Sequence, residues 1–187
     1  MTPWLTRYSR FKCLIKTRVL YARKFNSIGS RSIIISPMQF SDTQSVKIGN
    51  SVYISHYAWL RGDGNKKHVT LSIGNNVQVG HFAHIIAKFN VIIEDSVLIA
   101  DKVYISDCDH NYMDISTPIY KQGIHRTGDV KIGEGSWLGE NVCVLGAKIG
   151  KHCVIGANSV VVHDIPDYSI AVGAPAKVIR SINGNNV

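Results

Sequence analysis

Large aliphatic residues recur along this chain in groups of three at six-residue spacing. The beat is clearest near the C-terminal end, where Ile132, Leu138 and Val144 are followed by Ile149, Ile155 and Val161. Traced backwards it recovers Ile48, Ile54 and Leu60, then Ile73, Val79 and Ile85, then Ile93, Ile99 and Ile105. A small or β-branched residue usually sits two places before the next of these leading residues, and glycine often follows one. Such a beat is not the periodicity of a helix, and a β-sandwich would alternate at every second residue with loops of irregular length. The leaders form five groups of three, so three short strands would make one triangular turn. No turn of this kind buries its own face. Turns must stack, and their leaders then form an interior column, giving an all-β parallel β-helix of about five to six turns. The glycines after the leaders, with Asn50, Asn75, Asn76, Asn141 and Asn158 nearby, suit corners that demand backbone angles other residues reach only at a cost.

The N-terminus follows a different rhythm. After Thr2 and Pro3, a plausible cap and first turn, Trp4, Leu5, Tyr8, Phe11, Ile15, Val19 and Ala22 recur at helical spacing. This predicts an amphipathic helix over 3–23 within a basic N-terminal element, 1–27. The repeat domain then spans 28–182, beginning with a partial turn at Ile28, and 183–187 is a tail. A chain of 187 residues fits one core with an appendage.

Charge separates the same two parts. Arg7, Arg10, Lys12, Lys16, Arg18, Arg23, Lys24 and Arg31 all precede the first acidic residue, Asp42. The other 13 basic residues match the 13 acidic ones, so the formal charge of +8 belongs to the N-terminus and argues against nucleic acid as a partner. A helix with aromatic and aliphatic residues on one face and cations elsewhere suits peripheral contact with an anionic membrane through 3–24. It equally suits capping the open end of a solenoid.

The four cysteines, Cys13, Cys108, Cys143 and Cys153, form no C-x-x-C pair and read as reduced thiols. No apolar run approaches the eighteen or so residues of a membrane span, and the N-terminus lacks the apolar core of a signal peptide. The expected location is the cytoplasm, with contact at the inner face of the membrane as an addition.

Two interruptions break the beat. Between Leu60 and Ile73 lies a polar insertion containing Arg61, Gly62 and Asp63, read as a small corner loop without functional weight. Between Ile105 and Ile132 lies a much longer one, about 106–130, read as a loop without secondary structure. Long loops in compact repeat domains are usually functional or disordered, and a mixture of His, Asp, Tyr and Pro favours function. Among eight histidines, His110 alone follows a strand with carboxylates close by, Asp107 and Asp109, and its ordinary pKa suits proton transfer near neutrality.

The six-residue repeat, together with Gly173, Ala174 and Pro175 followed by Lys177 and Arg180, closely resembles the hexapeptide-repeat acyltransferases, in particular their sugar, capsule and lipopolysaccharide O-acetyltransferase branch. The resemblance covers roughly 28–182. It implies a left-handed coil, a homotrimer, acetyl-CoA as acyl donor and a sugar or lipid-linked glycan as acceptor, with no metal. It implies that the pair Asp109 and His110 supplies the base: His110 takes a proton from an acceptor hydroxyl, whose oxygen attacks the thioester carbonyl, and a backbone amide steadies the oxyanion. Asp107 would support the imidazole, and His84 would hold the acceptor or orient His110. The donor would lie along Trp137 and Gly139, then Gly156, Ala157 and Ser159, with Lys177 and Arg180 near its phosphates. Alternatives are an N-acetyltransferase of an amino-sugar nucleotide, a zinc carbonic anhydrase on the same prism, to which His81 could give one ligand, and a non-catalytic scaffold.

Overall fold

The fifteen leaders all point inward, each at 1% exposure or less, in a computed structural model that describes residues 7–64 and 67–184. Three sheets of six, eight and six strands, parallel throughout except for the last strand of the second, enclose that column and are called here faces A, B and C in the order the chain visits them. Register is strict. On face C, Phe40 lies beside Leu60, then Ile85, Ile105, Val144 and Val161. A second inward column, with Val52, Ala58, Val77, Ala83, Val97, Val103 and Val142, fills the corners. Each aliphatic side chain taken fully from water contributes about 1.5–3 kcal/mol, so the stack is held chiefly by these two columns. Where the second column is polar, backbone satisfies it. Ser136 Oγ donates to Gly150 O at 2.8 Å and accepts the Cys153 amide at 2.9 Å.

The corners correct one expectation. Left-handed backbone angles fall on the third residue after a leader, not on the glycine after it: Ser51, Tyr57, Asn76, Phe82, Ser96, Lys102, Asn141 and Asn158 all have φ between 56° and 60°. The glycines are required for closeness instead. A Cβ on Gly49 would lie 2.5 Å from the Gly74 carbonyl oxygen, and one on Gly133 would lie 2.4 Å from that of Gly150. Asn50 and Asn75 serve neither purpose. Their side-chain oxygens accept the amides of Ser30 (2.7 Å) and Asn50 (2.9 Å), linking one turn to the next.

Left-handed corners of this type join face A to B and face B to C. The corner from C back to A carries the excursions, including 61–70 and the long insertion. That insertion is not structureless: Cys108–His110 pairs antiparallel with Ile124–Arg126, making a hairpin arm that leaves face C.

The N-terminal helix begins within the described residues as α1, Arg7–Lys16, continues as a wider turn over Thr17–Tyr21 and tightens over Ala22–Lys24. Trp4, Leu5 and the rest of 1–6 lie outside the described residues, as do Asn65 and Lys66 of the first insertion and 185–187 of the tail. The apolar stripe faces outward: Tyr8, Phe11 and Val19 are 68%, 61% and 63% exposed. Arg10, Cys13, Leu14 and Tyr21 are half-buried. Thr17 is fully buried, and its Oγ1 accepts the Ile34 amide at 3.0 Å while donating to Cys13 O at 2.8 Å. Arg18 donates to the carbonyls of Ile28 and Gly29, both at 2.9 Å. The helix therefore caps the first turn through hydrogen bonds to its backbone, and the buried Phe25 closes the end of the core against Phe40.

Candidate active site

A cavity of about 240 Å³ lies where the hairpin arm leaves face C, and it is walled by Arg61, Ile86, Lys88, Tyr104, Asp109 and His110, among others. Strand register explains the convergence. Arg61, Ile86 and Ser106 are neighbours on successive strands of face C, and the chain turns outward one residue after Ser106. The arm brings His110 to the wall of the cavity that Arg61, Lys88 and Tyr104 also line. Asp109 and His110 are both exposed, and the Asp109 carboxylate accepts the His110 backbone amide at 2.7 Å. His125 sits opposite Asp109 on the returning strand.

Asp107 has a different task from the one the sequence suggested. It is fully buried, and its two oxygens accept the amides of Lys88 (2.9 Å), Phe89 (2.7 Å) and Asn90 (2.6 Å). A carboxylate so engaged anchors the root of the arm to the preceding corner. The same corner is tied to the first insertion by the Lys88–Asp63 ion pair.

His84 stands on face C outside that cavity. Its ring stacks on Trp59 with centroids 4.2 Å apart, and Tyr104 tilts against it at 5.2 Å. Burial first, then the nearby Arg61 charge, lower its pKa, which keeps the imidazole neutral near pH 7. Its Nε2 and the Trp59 Nε1 are buried without a hydrogen-bond partner among the described residues. Tyr104 bridges this aromatic column and the His110 cavity, and burial raises the pKa of its hydroxyl.

The donor candidates gather elsewhere. Trp137, 47% exposed, lies on face B; Gly139, Gly156 and Ala157 follow at the corner from B to C; Lys177 and Arg180 lie exposed on the antiparallel strand Lys177–Ser181 that extends face B. Ser159 is fully buried and its Oγ accepts the Gly173 amide at 3.0 Å, so its hydroxyl is committed to the fold. Stacking alone demands small residues here: a Cβ on Gly139 would lie 2.8 Å from the Ala157 nitrogen. Within one chain these residues lie on face B and its corner with C, whereas the arm with His110 leaves the far edge of face C.

Sequence reasoning missed Arg61 and Lys88 as cavity walls. The signal was the register, since Arg61 falls one place after the leader Leu60, as Ser106 does after Ile105. Among the described residues, no group of three His, Cys, Asp or Glu side chains is placed to hold a metal ion. No helix there is long and apolar enough to cross a membrane.

Relatives define the class. The chain is 43% identical over 137 residues to a protein of Mycobacterium tuberculosis named as a probable acetyltransferase, covering 73% of this chain and 44% of that one. It is 41% identical over 116 residues to WbbJ of Escherichia coli (strain K12), whose name assigns it provisionally to O-acetyl transfer in lipopolysaccharide biosynthesis, covering 58% and 59%. It is 36% identical over 122 residues to the galactoside O-acetyltransferase of the same organism, covering 62% and 59%. The chain thus spans 44–59% of the length of these relatives. Among solved structures, AntD, an N-acyltransferase from Bacillus cereus in complex with dTDP and 3-hydroxybutyryl-CoA, superposes with a TM-score of 0.75 at 19% identity, over 90% of this chain and 89% of that one. No protein-family model matches the chain. By sequence and by fold it is related to the hexapeptide-repeat acyltransferases, and its coil is their left-handed β-helix.

Proposed function

We propose that this protein transfers an acetyl group from acetyl-CoA to a sugar hydroxyl in surface-polysaccharide or lipopolysaccharide assembly, with His110 as general base. The observation that carries this reading is the placement of His110: a hairpin arm holds it over a cavity with a cation and a tyrosine, in a chain whose sequence relatives are named as acetyltransferases. The acyl donor supplies an activated thioester carbonyl. The protein's own part is to hold the acceptor hydroxyl against His110 and take its proton as the oxygen attacks. Asp109 accepts the His110 backbone amide and Asp107 fixes the root of the arm, so both hold the residue in place. His84, kept neutral, lines the approach and orients the acceptor.

Trp137, Lys177 and Arg180 carry the donor in this reading, with Gly139, Gly156 and Ala157 offering backbone and Ser159 holding the last corner in shape. Their position across face C from His110 favours a site completed by neighbouring subunits of a homotrimer, with outward aromatics such as Tyr53, Trp59, Tyr104 and Trp137 on the flat faces. The outward stripe of α1, flanked by Lys12, Lys16, Arg23 and Lys24, supports a cytoplasmic enzyme working against the inner face of the membrane, where a lipid-linked glycan would be presented.

The test is release of free CoA from acetyl-CoA across monosaccharides, sugar nucleotides and lipid-linked glycans, with mass spectrometry locating the acetyl group. An acetyl ester on a hydroxyl is expected. An amide on an amino sugar would move the protein to the N-acetyltransferases, and no transfer to any acceptor would contradict the reading.

A further inference from the structure

We propose that the groove between α1 and the corner joining face A to face B is a second binding site, one for a phosphate group. The groove has a volume of about 410 Å³. Its polar walls are Arg10, Arg31, Ser51, Tyr53, Asn76 and Gln78, and among the described residues no carboxylate lines it.

Two independent pieces of the fold deliver its arginines. Arg10 belongs to the inward face of α1, one turn before Cys13 and two before Thr17, so the Thr17 contact that docks the helix also holds Arg10 over face B. Arg31 occupies the left-handed corner position of the first turn, with φ 58°, directly above Ser51 (56°) and Asn76 (57°) in the same column. Every polar side chain in the groove can donate a hydrogen bond, and only the hydroxyls and amides can also accept one.

The charge is uncompensated. Neither arginine forms an ion pair among the described residues, and no acidic residue precedes Asp42 in the sequence. Cations elsewhere on the prism do find carboxylates: Lys131 meets Glu94 at 2.7 Å and Lys102 meets Glu140 at 2.8 Å. Two guanidinium groups facing one cavity repel each other unless an anion lies between them. Their planar forks match the oxygens of a phosphate better than any other common biological anion except a carboxylate, and the surrounding hydroxyls and amides suit the rest of a phosphate ester. The volume exceeds that of a bare phosphate, leaving space for a glycerol or a sugar beyond it. The groove lies on the N-terminal turns, away from His110, so it stands whether or not the acetyl-transfer reading holds. Its ligand is a phosphate ester, either a lipid headgroup reached when the outer stripe of α1 meets a membrane or a soluble ester.

The test uses the full chain. Glycerol 3-phosphate is titrated while arginine Nε–Hε signals are followed by NMR in the wild type, in R10Q/R31Q, and in K12Q/K16Q, which removes the same charge from other faces of α1. Saturable shifts are expected in the wild type and in K12Q/K16Q, with affinity at least about tenfold weaker in R10Q/R31Q. The same proteins are sedimented with phosphatidylcholine vesicles with and without phosphatidic acid. A loss of phosphatidic acid binding in R10Q/R31Q beyond that in K12Q/K16Q identifies the lipid source; equal losses, with the glycerol 3-phosphate difference retained, identify a soluble ester. Absence of saturable arginine shifts in the wild type overturns the proposal, as do equal glycerol 3-phosphate affinities in the two double variants. Should R10Q/R31Q fail to fold, the wild-type titration decides alone.

Discussion

Apolar periodicity means opposite things in the two parts of this molecule. In the prism every leader it marks is inside; in the N-terminal helical segment the residues it marks, Tyr8, Phe11, Ile15 and Val19, are outside. The difference lies in what each element meets. A strand of the prism meets a neighbouring turn whose interior is already apolar, so burial of aliphatic side chains is the stabilising term. The helix meets the first turn, where the solenoid ends and backbone groups lack a strand to pair with. An end of that kind is closed by hydrogen bonds, and Thr17 and Arg18 supply them. Period identifies an element; the chemistry of its neighbour decides which face is buried.

The strongest way to break this contrast is from within the prism. Ile99→Ala removes a buried leader between two stacked turns and should cost about 2–5 kcal/mol of unfolding free energy, measured by urea denaturation. A cost near zero would mean that the column is not packed as described. Next is Thr17→Val, which keeps the shape and leaves the buried Ile34 amide without an acceptor. A loss of about 1–3 kcal/mol is expected by the same measurement, although the new residue is more apolar.

The outward stripe should behave in the reverse sense. Replacing Phe11 and Ile15 with serine should shift stability by less than about 0.5 kcal/mol, as for exposed positions generally. Binding to anionic vesicles should fall, and a large loss of stability with vesicle binding unchanged would show that this face is packed and not presented.

The smallest effect concerns His84, an outward residue of the prism. Unfolded, its pKa returns to about 6.5, while burial and Arg61 hold it lower in the fold. The stability contributed by its neutral form is complete above the unfolded value and is lost as pH falls through the folded one. His84→Gln should flatten that part of the acid limb in thermal melts recorded at successive pH values; an unchanged limb would mean that the ring is not desolvated.

These contrasts also separate what could be read in the sequence from what could not. The prism was legible because its constraint repeats: each of the leaders from Ile48 to Val161 solves the same packing problem. The role of glycine was misread because closeness between turns is a property of the stack, visible only when Gly49 is set against Gly74. Thr17 carried no signal, since a polar residue amid a basic helix looks solvated. In the site, His110 was conspicuous through its place after a strand, but Asp107 looked like its partner only because they are three residues apart. The chain turns outward at Asp107, whose carboxylate is spent on the amides of 88–90. Arg61 was hidden for the opposite reason, being distant in sequence from His110 and brought beside it by the register of face C.

The proposed function turns on His110, carried by the arm that leaves face C, as general base. Acetyl-transfer kinetics of His110→Ala, with acetyl-CoA affinity measured on the same protein, address this most directly. The arm carries His110 away from the packed interior, so the variant should melt as the wild type does and bind the donor equally well. Turnover should fall by at least about a hundredfold, the usual contribution of a positioned general base. A fall of less than about tenfold, with folding intact, would show that His110 is not the base and turn attention to His84 and His125.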